Sequence, residues 1–99
     1  MAPDFVSHLL AWEPIARTRA TGLGIELKFD NSPPDGRSKS AAWVIAERAD
    51  RSAELIVWSS GEVELVAGNA TGGELLQEHR DISTLGELDG LLAALLSHV

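Results

Sequence analysis

The stretch that most constrains the fold is residues 53–67, where two β-rich runs flank the turn-forming pair Ser60-Gly61. A two-residue turn at this pair predicts a β-hairpin in which Trp58 lies opposite Val63, on a face that is apolar throughout. The other face of the hairpin becomes polar towards the tip. One packed face and one solvated face are typical of an antiparallel sheet that is covered on a single side. We therefore take this hairpin as the centre of a small sheet.

Further strands are predicted on both sides of the hairpin. Residues 23–29 alternate between apolar and polar side chains, which indicates a half-buried strand. Residues 41–47 are apolar on both faces, so this strand is either covered twice or presents one face to a partner. Residues 74–82 alternate weakly and predict an edge strand. Together with the hairpin, these segments give about five strands.

A helix is predicted at each end of the sequence. Asp4 is a suitable N-cap for the first helix, and Pro14 interrupts that helix because it removes an amide donor. Thr84 and Glu87 form a capping box at the start of the last helix. The apolar stripe of this helix predicts that it packs against the sheet. The stripe consists of Leu85, Leu88, Leu91, Leu92, Leu95 and Val99, with Leu96 at its margin.

These elements predict an α+β fold, with an antiparallel meander of about five strands and the N- and C-terminal helices packed on one face. A chain of 99 residues is expected to form a single domain, residues 1–99. Residues 30–40 contain two prolines and several polar residues, which predicts a flexible loop. There is no cysteine, so disulfides and thiolate metal sites are excluded.

The charge of the chain limits its partners. Fifteen acidic residues against 8 basic ones give a formal net charge of -7. This balance argues against direct binding of nucleic acid, which needs Lys and Arg to neutralise phosphates. It allows attraction to a basic protein. The chain has no recognisable signal peptide and no apolar run of about 20 residues, so we expect a cytoplasmic protein with no membrane contact.

His79 and Asp81 are the strongest candidates for chemistry, since they share one face of the predicted edge strand. Such a pair could be a base with its orienting carboxylate, or two metal ligands. A metal needs further ligands, however, and no catalytic motif accompanies the pair. We predict no catalytic residue, no metal site and no cofactor. Of the tryptophans, we assign Trp12 and Trp58 to the core and leave Trp43 open between core and binding anchor.

Several segments along the chain share features with a known family. The most distinctive is Val-Trp-Ser-x-Gly-Glu at residues 57–62. The others are Ser-Lys-Ser-Ala at 38–41, acid-Arg-Ala-Asp-Arg at 47–51, Thr71-Gly72, His79, the leucine helix capped by Thr84, and Trp12 in the first helix. Together these segments span nearly the whole chain and resemble the TriTu family of bacterial immunity proteins.

The resemblance implies a function. Members of such families are encoded beside polymorphic toxins and generally protect the producing cell by binding the cognate toxin and blocking its active site. It therefore implies a protein that is not an enzyme and whose partner is a toxin domain. If that toxin is basic, a nuclease for example, acidic residues would speed association by steering. The candidate toxin interface consists of Trp43, Glu54, Glu62, Glu64 and Glu78.

Two alternatives from other classes remain. One is a small α+β ligand-binding domain or enzyme, which predicts a deep cavity lined by His79. The other is a secretion chaperone or adaptor that dimerises through the strand containing Trp43. The sequence leaves open whether the protein is a monomer or a homodimer.

Overall fold

A computed structural model describes residues 4–32, 40–69 and 76–99, and within them the chain forms three helices and one five-stranded sheet. In chain order the elements are α1 (Phe5–Ala11), α2 (Glu13–Leu23), β1 (Glu26–Asn31), β2 (Ala41–Arg48), β3 (Arg51–Trp58), β4 (Glu62–Asn69), β5 (Leu76–Asp81) and α3 (Leu85–Ser97). The strands follow the spatial order β1-β2-β3-β4-β5, and every neighbouring pair is antiparallel. The predicted α+β meander is confirmed. Residues 33–39, most of the predicted loop, lie outside the described residues.

The N-terminal helical segment is divided as Pro14 predicts. The Asp4 carboxylate accepts hydrogen bonds from the backbone N–H and the hydroxyl of Ser7, at 3.0 and 2.8 Å, and so caps α1. A new helix, α2, begins at Glu13, where Pro14 falls in the first turn and its missing N–H costs no hydrogen bond. Gly24 ends α2 in the left-handed conformation. Leu23, predicted as the first strand residue, instead closes this helix and is exposed.

The β3–β4 hairpin differs from the prediction by one residue. Val57 lies opposite Val63, and the connection therefore has three residues, ending in Gly61 with φ of 96°. Three-residue hairpin loops commonly end in a left-handed glycine of this kind. A shift of one residue exchanges the two faces of a strand, so the predicted pairing of Trp58 with Val63 is wrong. Trp58 lies on the solvent side of the sheet and is only half-buried.

The core lies between the helices and one face of the sheet. All three helices contact this side: α1 lies against β2 and β3, α2 against β1, and α3 against β3. The largest fully buried side chains are Leu9, Val44, Leu55, Val57, Val63, Leu88, Leu92 and Leu95. Trp12 packs at the margin of this core, with its ring edge-on to Phe29 at a centroid distance of 6.1 Å. In the leucine stripe of α3, Leu85 is exposed, whereas Leu96 is buried.

The predicted capping box of α3 is present. The backbone N–H of Glu87 donates to the Thr84 hydroxyl at 3.2 Å. The Glu87 carboxylate accepts in return from the backbone N–H and hydroxyl of Ser83, at 3.3 and 3.1 Å, and from the Thr84 hydroxyl at 3.1 Å. These donors, the Ser83 backbone N–H foremost, hold the pKa of Glu87 below its ordinary value of 4.5. None of the helices in the described parts of the chain is long and apolar enough to cross a membrane.

Candidate functional site on the open face of the sheet

The helices cover one face of the sheet, and within residues 4–32, 40–69 and 76–99 no helix or strand covers the other. We call this second face the open face. Because side chains alternate along each strand, the register determines which residues share it. The open face carries Glu26, Lys28 and Asp30 of β1, Ala41, Trp43, Ile45 and Glu47 of β2, Ser52, Glu54, Ile56 and Trp58 of β3, Glu62, Glu64, Val66 and Gly68 of β4, and Gln77, His79 and Asp81 of β5.

The centre of the open face is apolar. Trp43 lies directly opposite Ile56, with Ile45 and Trp58 as the next open-face residues along the same two strands. Val66 extends the apolar area onto β4. All five side chains are half-buried, and no described helix or strand lies above them. Large apolar side chains grouped in this way, tryptophans above all, are typical of the centre of a protein-binding surface.

Carboxylates surround this apolar centre. They are Glu26, Asp30, Glu47, Glu54, Glu62, Glu64 and Asp81. Glu47 forms an ion pair with Lys28 at 3.5 Å, and Glu64 accepts a hydrogen bond from Gln77 at 3.1 Å. Among the open-face residues that the structure describes, Lys28 is the only lysine or arginine, so carboxylates far outnumber cations on this part of the face. Such a surface is complementary to a basic partner.

The structure brings most of the predicted interface together. Trp43, Glu54, Glu62 and Glu64 all belong to the open face. Glu78 does not, because it pairs with Leu65 and lies on the helix side, where it forms an ion pair with Arg80 at 3.2 Å. The weak alternation of β5 concealed this difference.

Sequence reasoning missed three apolar members of the same surface, Ile45, Ile56 and Trp58. For Ile56 and Trp58 the cause is the assumed two-residue turn, which placed them on the core side. For Ile45 the signal was present, since both faces of β2 are apolar in the sequence. Ala42, Val44 and Ala46 are buried, whereas the face that carries Trp43 has no covering helix or strand within the described structure.

His79 and Asp81 share the open face, as their spacing predicts, and both are exposed. The described residues contain no group of three or more His, Asp or Glu placed to hold a metal. A groove of about 390 Å³ does lie between β5 and α3, where Glu78, Arg80 and Leu91 line it. The ligand-pocket alternative requires a cavity lined by His79, and His79 does not line this groove.

The fold and the open face together define a small α+β protein whose most distinctive feature is a sheet face with an apolar centre and surrounding carboxylates. The chain belongs to the TriTu family of immunity proteins, whose family model matches residues 8–98. This match covers all five strands and α3, and it confirms the resemblance found in the sequence. Comparisons with curated proteins and with solved structures gave no significant match. The family establishes an immunity function in general.

Proposed function

We propose that this protein neutralises a cognate polymorphic toxin by binding it stoichiometrically through the open face. Family membership supports the immunity role. One observation carries the choice of surface: Trp43 and Ile56 form the middle of an apolar area that lacks a covering layer in the described structure and is surrounded by carboxylates. The protein acts by covering a surface that the toxin needs, without turnover.

The open face is large enough for this task. Five strands at a spacing of about 4.8 Å make it roughly 20 Å wide, and residues on one face recur about every 7 Å along a strand. The three central strands have 8 residues each and are therefore roughly 26 Å long, so the face has a projected area of about 500 Å². Its accessible area is larger because the side chains project from it, and it approaches the ~800 Å² that each partner buries in a typical stable complex. Within it, Trp43 and Ile56 lie near the middle, where hot-spot residues usually cluster, and Trp58 follows Ile56 on the same face at the end of β3.

The negative charge of the open face favours a basic partner. Glu54, Glu62 and Glu64 lie beside the apolar centre, in a chain with a net charge of -7. A basic toxin is attracted to this face over long range and docks faster than a neutral one. A nuclease is one such toxin, because an enzyme that binds phosphates carries Lys and Arg around its active site, and these carboxylates would occupy that region.

The same charges disfavour an adaptor that dimerises through the Trp43 strand. If two open faces packed together, the carboxylates around one apolar centre would lie against those around the other. Like charges across an interface cost several kcal/mol. A basic toxin therefore fits this face better than a second copy does. We further propose that the protein acts in the cytoplasm of the producing cell, where it meets the toxin, and the lack of cysteine suits that reducing compartment.

The test uses the toxin domain encoded by the reading frame beside that of this protein. Mixing the two purified proteins is expected to give a 1:1 complex by light scattering. Toxin activity should fall in proportion to the protein added and reach zero at one equivalent. Absence of a complex would remove the proposal. Complete inactivation of the toxin by far less than one equivalent would replace occlusion with an enzymatic mechanism.

A further inference from the structure

The two edges of the sheet differ in whether their outward backbone groups are hydrogen-bonded. At the β1 edge, α2 packs against the strand, and the Arg17 guanidinium donates a hydrogen bond to the backbone carbonyl of Leu27 at 3.3 Å. Arg17 thereby occupies an outward backbone group of the edge strand. At the β5 edge, none of the described residues donates or accepts a backbone hydrogen bond on the outer side. An unoccupied strand edge is a template for pairing with another strand.

The hydrogen bonding of β5 shows which backbone groups point outward. The N–H of Ile82 donates to the carbonyl of Gly61 at 2.8 Å, in the same register that pairs Arg80 with Val63 and Glu78 with Leu65. In an antiparallel pair, alternate residues bond to the neighbouring strand. The even-numbered residues of β5 therefore bond to β4. The backbone groups of Gln77, His79 and Asp81 point outward, and no described residue forms a backbone hydrogen bond with them.

We propose that β5 pairs antiparallel with β5 of a second copy, about a two-fold axis at His79, so that the two sheets become continuous. This register places the outward backbone groups of the two copies opposite each other, as hydrogen bonding requires. It also sets Glu78 opposite the partner subunit's Arg80, and Arg80 opposite the partner subunit's Glu78. Gln77 meets the partner subunit's Asp81, an amide donor facing a carboxylate acceptor. The sequence of β5 is thus complementary to itself when it is reversed.

Neighbouring registers lack this complementarity. A shift that moves the axis to residue 78 sets Glu78 against the partner subunit's Glu78. A shift in the other direction sets Arg80 against the partner subunit's Arg80 and Glu78 against an uncharged residue, although it brings His79 opposite the partner subunit's Asp81. Opposite charges directly across two strands stabilise the pair and like charges destabilise it, so the charges select the register centred on His79. An axis that falls between two residues is excluded, because residues with outward N–H and C=O groups would then lie opposite residues whose groups point away.

This dimer is compatible with toxin binding. The two-fold axis runs perpendicular to the sheet, so both open faces lie on the same side and neither is covered. The interface involves a strand of 6 residues, which is well below the area of a standard protein–protein interface. We therefore expect a weak dimer that dissociates in the micromolar range. The proposal does not depend on the identity of the toxin.

Sedimentation velocity of the full chain, from about 1 µM to about 1 mM, tests the dimer. The wild type is expected to self-associate as its concentration rises. Glu78→Arg and Arg80→Glu each replace two attractive cross-strand pairs by two repulsive ones, and each should weaken self-association about tenfold or more. Lys28→Glu, a charge reversal at the opposite edge of the sheet, is the matched control and should leave self-association unchanged.

A mixture of the two charge variants gives the sharpest result. In the mixed dimer each arginine of one variant faces a glutamate of the other, so an equimolar mixture should associate about as well as the wild type. Both substitutions also remove the exposed pair between Glu78 and Arg80 within one chain, and the unfolding midpoint shows whether the fold is retained. A wild type that stays monomeric up to about 1 mM would overturn the proposal. So would variants that associate as the wild type does, or a mixture that gains nothing.

Discussion

Val57 and Val63 lie directly opposite each other at the tip of the β3–β4 hairpin, and both are fully buried. Because side chains alternate along β3, Leu55 lies in the core with Val57, whereas Ile56 and Trp58 lie on the open face. The turn between these strands therefore determines which large apolar residues stabilise the fold and which remain available to a partner.

The first prediction compares two residues of β3 that lie on opposite faces. Leu55→Ala should lower the free energy of unfolding by about 2–5 kcal/mol, because it leaves a cavity among fully buried neighbours. Trp58→Ala should cost less, about 1–2 kcal/mol, because the indole is only half-buried and water can fill its place. Chemical denaturation followed by circular dichroism measures both. Equal losses would mean that Trp58 belongs to the core after all.

The second prediction concerns Gly61. Its φ of 96° is unfavourable for other residues, and a Cβ at this position would lie 2.5 Å from the carbonyl oxygen of Ile82. Gly61→Ala should therefore destabilise the protein by about 2–4 kcal/mol. Gly90→Ala is the matched control, because nothing lies within 4 Å of a Cβ at this position in α3 and alanine favours helix. It should raise stability by up to about 1 kcal/mol. Thermal unfolding that gave both variants the same sign would contradict this account.

The third prediction concerns the speed of association. Replacing Glu62 and Glu64 by lysine should leave folding nearly intact, because both are on the open face. It should slow association with a basic toxin, most at low salt, where steering is strongest. The control is a single charge reversal away from the open face, so Glu64→Lys is compared with Asp89→Lys. Asp89 lies on α3, where its carboxylate contacts His8 at 2.7 Å.

Stopped-flow fluorescence at two salt concentrations measures these rates. An association rate that is unchanged at low salt in the double variant would count against an acidic docking face. Equal slowing by Glu64→Lys and Asp89→Lys would assign the effect to net charge alone.

The fourth prediction follows from the helix caps. The pKa of Asp4 is lowered from its ordinary value of 3.8, chiefly because the backbone N–H of Ser7 donates to its carboxylate, and the pKa of Glu87 is lowered from 4.5. A carboxylate whose pKa is lower in the folded state stabilises the fold above its unfolded pKa, and this contribution disappears as pH falls through the folded pKa. Stability should therefore decrease as pH falls below about 4.5.

Glu87→Gln tests this directly, because glutamine keeps the shape of the side chain but does not titrate. The wild type should be the more stable of the two near neutral pH, and the difference should shrink as pH falls from about 5 to 2. Unfolding midpoints measured across this range provide the comparison. A difference between the two proteins that stays constant with pH would contradict the role assigned to the carboxylate.

The features that were predictable from the sequence depend on a few neighbouring residues. Asp4, Pro14 and Thr84 act through hydrogen bonds within one helical turn, so their effects could be derived without knowledge of the fold. The order of helices and strands followed from such signals. The position of Leu85 could not be derived in this way, because whether the first turn of α3 is covered depends on other elements.

The faces of the strands were harder to predict than their order. The register of the hairpin depends on whether two or three residues form the turn, and Gly61 is compatible with either. Since that choice exchanges the faces, Ile56 and Trp58 were assigned to the wrong side while Glu54, Glu62 and Glu64 were still grouped together. The position of Glu78 depends on the pairing of β5 with β4, which its weak alternation does not specify.

The most direct test of the central claim is isothermal titration calorimetry between this protein and the toxin domain encoded beside it. We predict a 1:1 complex with a nanomolar Kd for the wild type. Trp43→Ala and Trp58→Ala should each weaken binding about 30-fold or more. Ile15→Ala, which truncates an exposed apolar side chain on α2, should bind as the wild type does. Unchanged affinity in both tryptophan variants, or loss of binding in Ile15→Ala, would contradict the assignment of the open face as the toxin-binding surface.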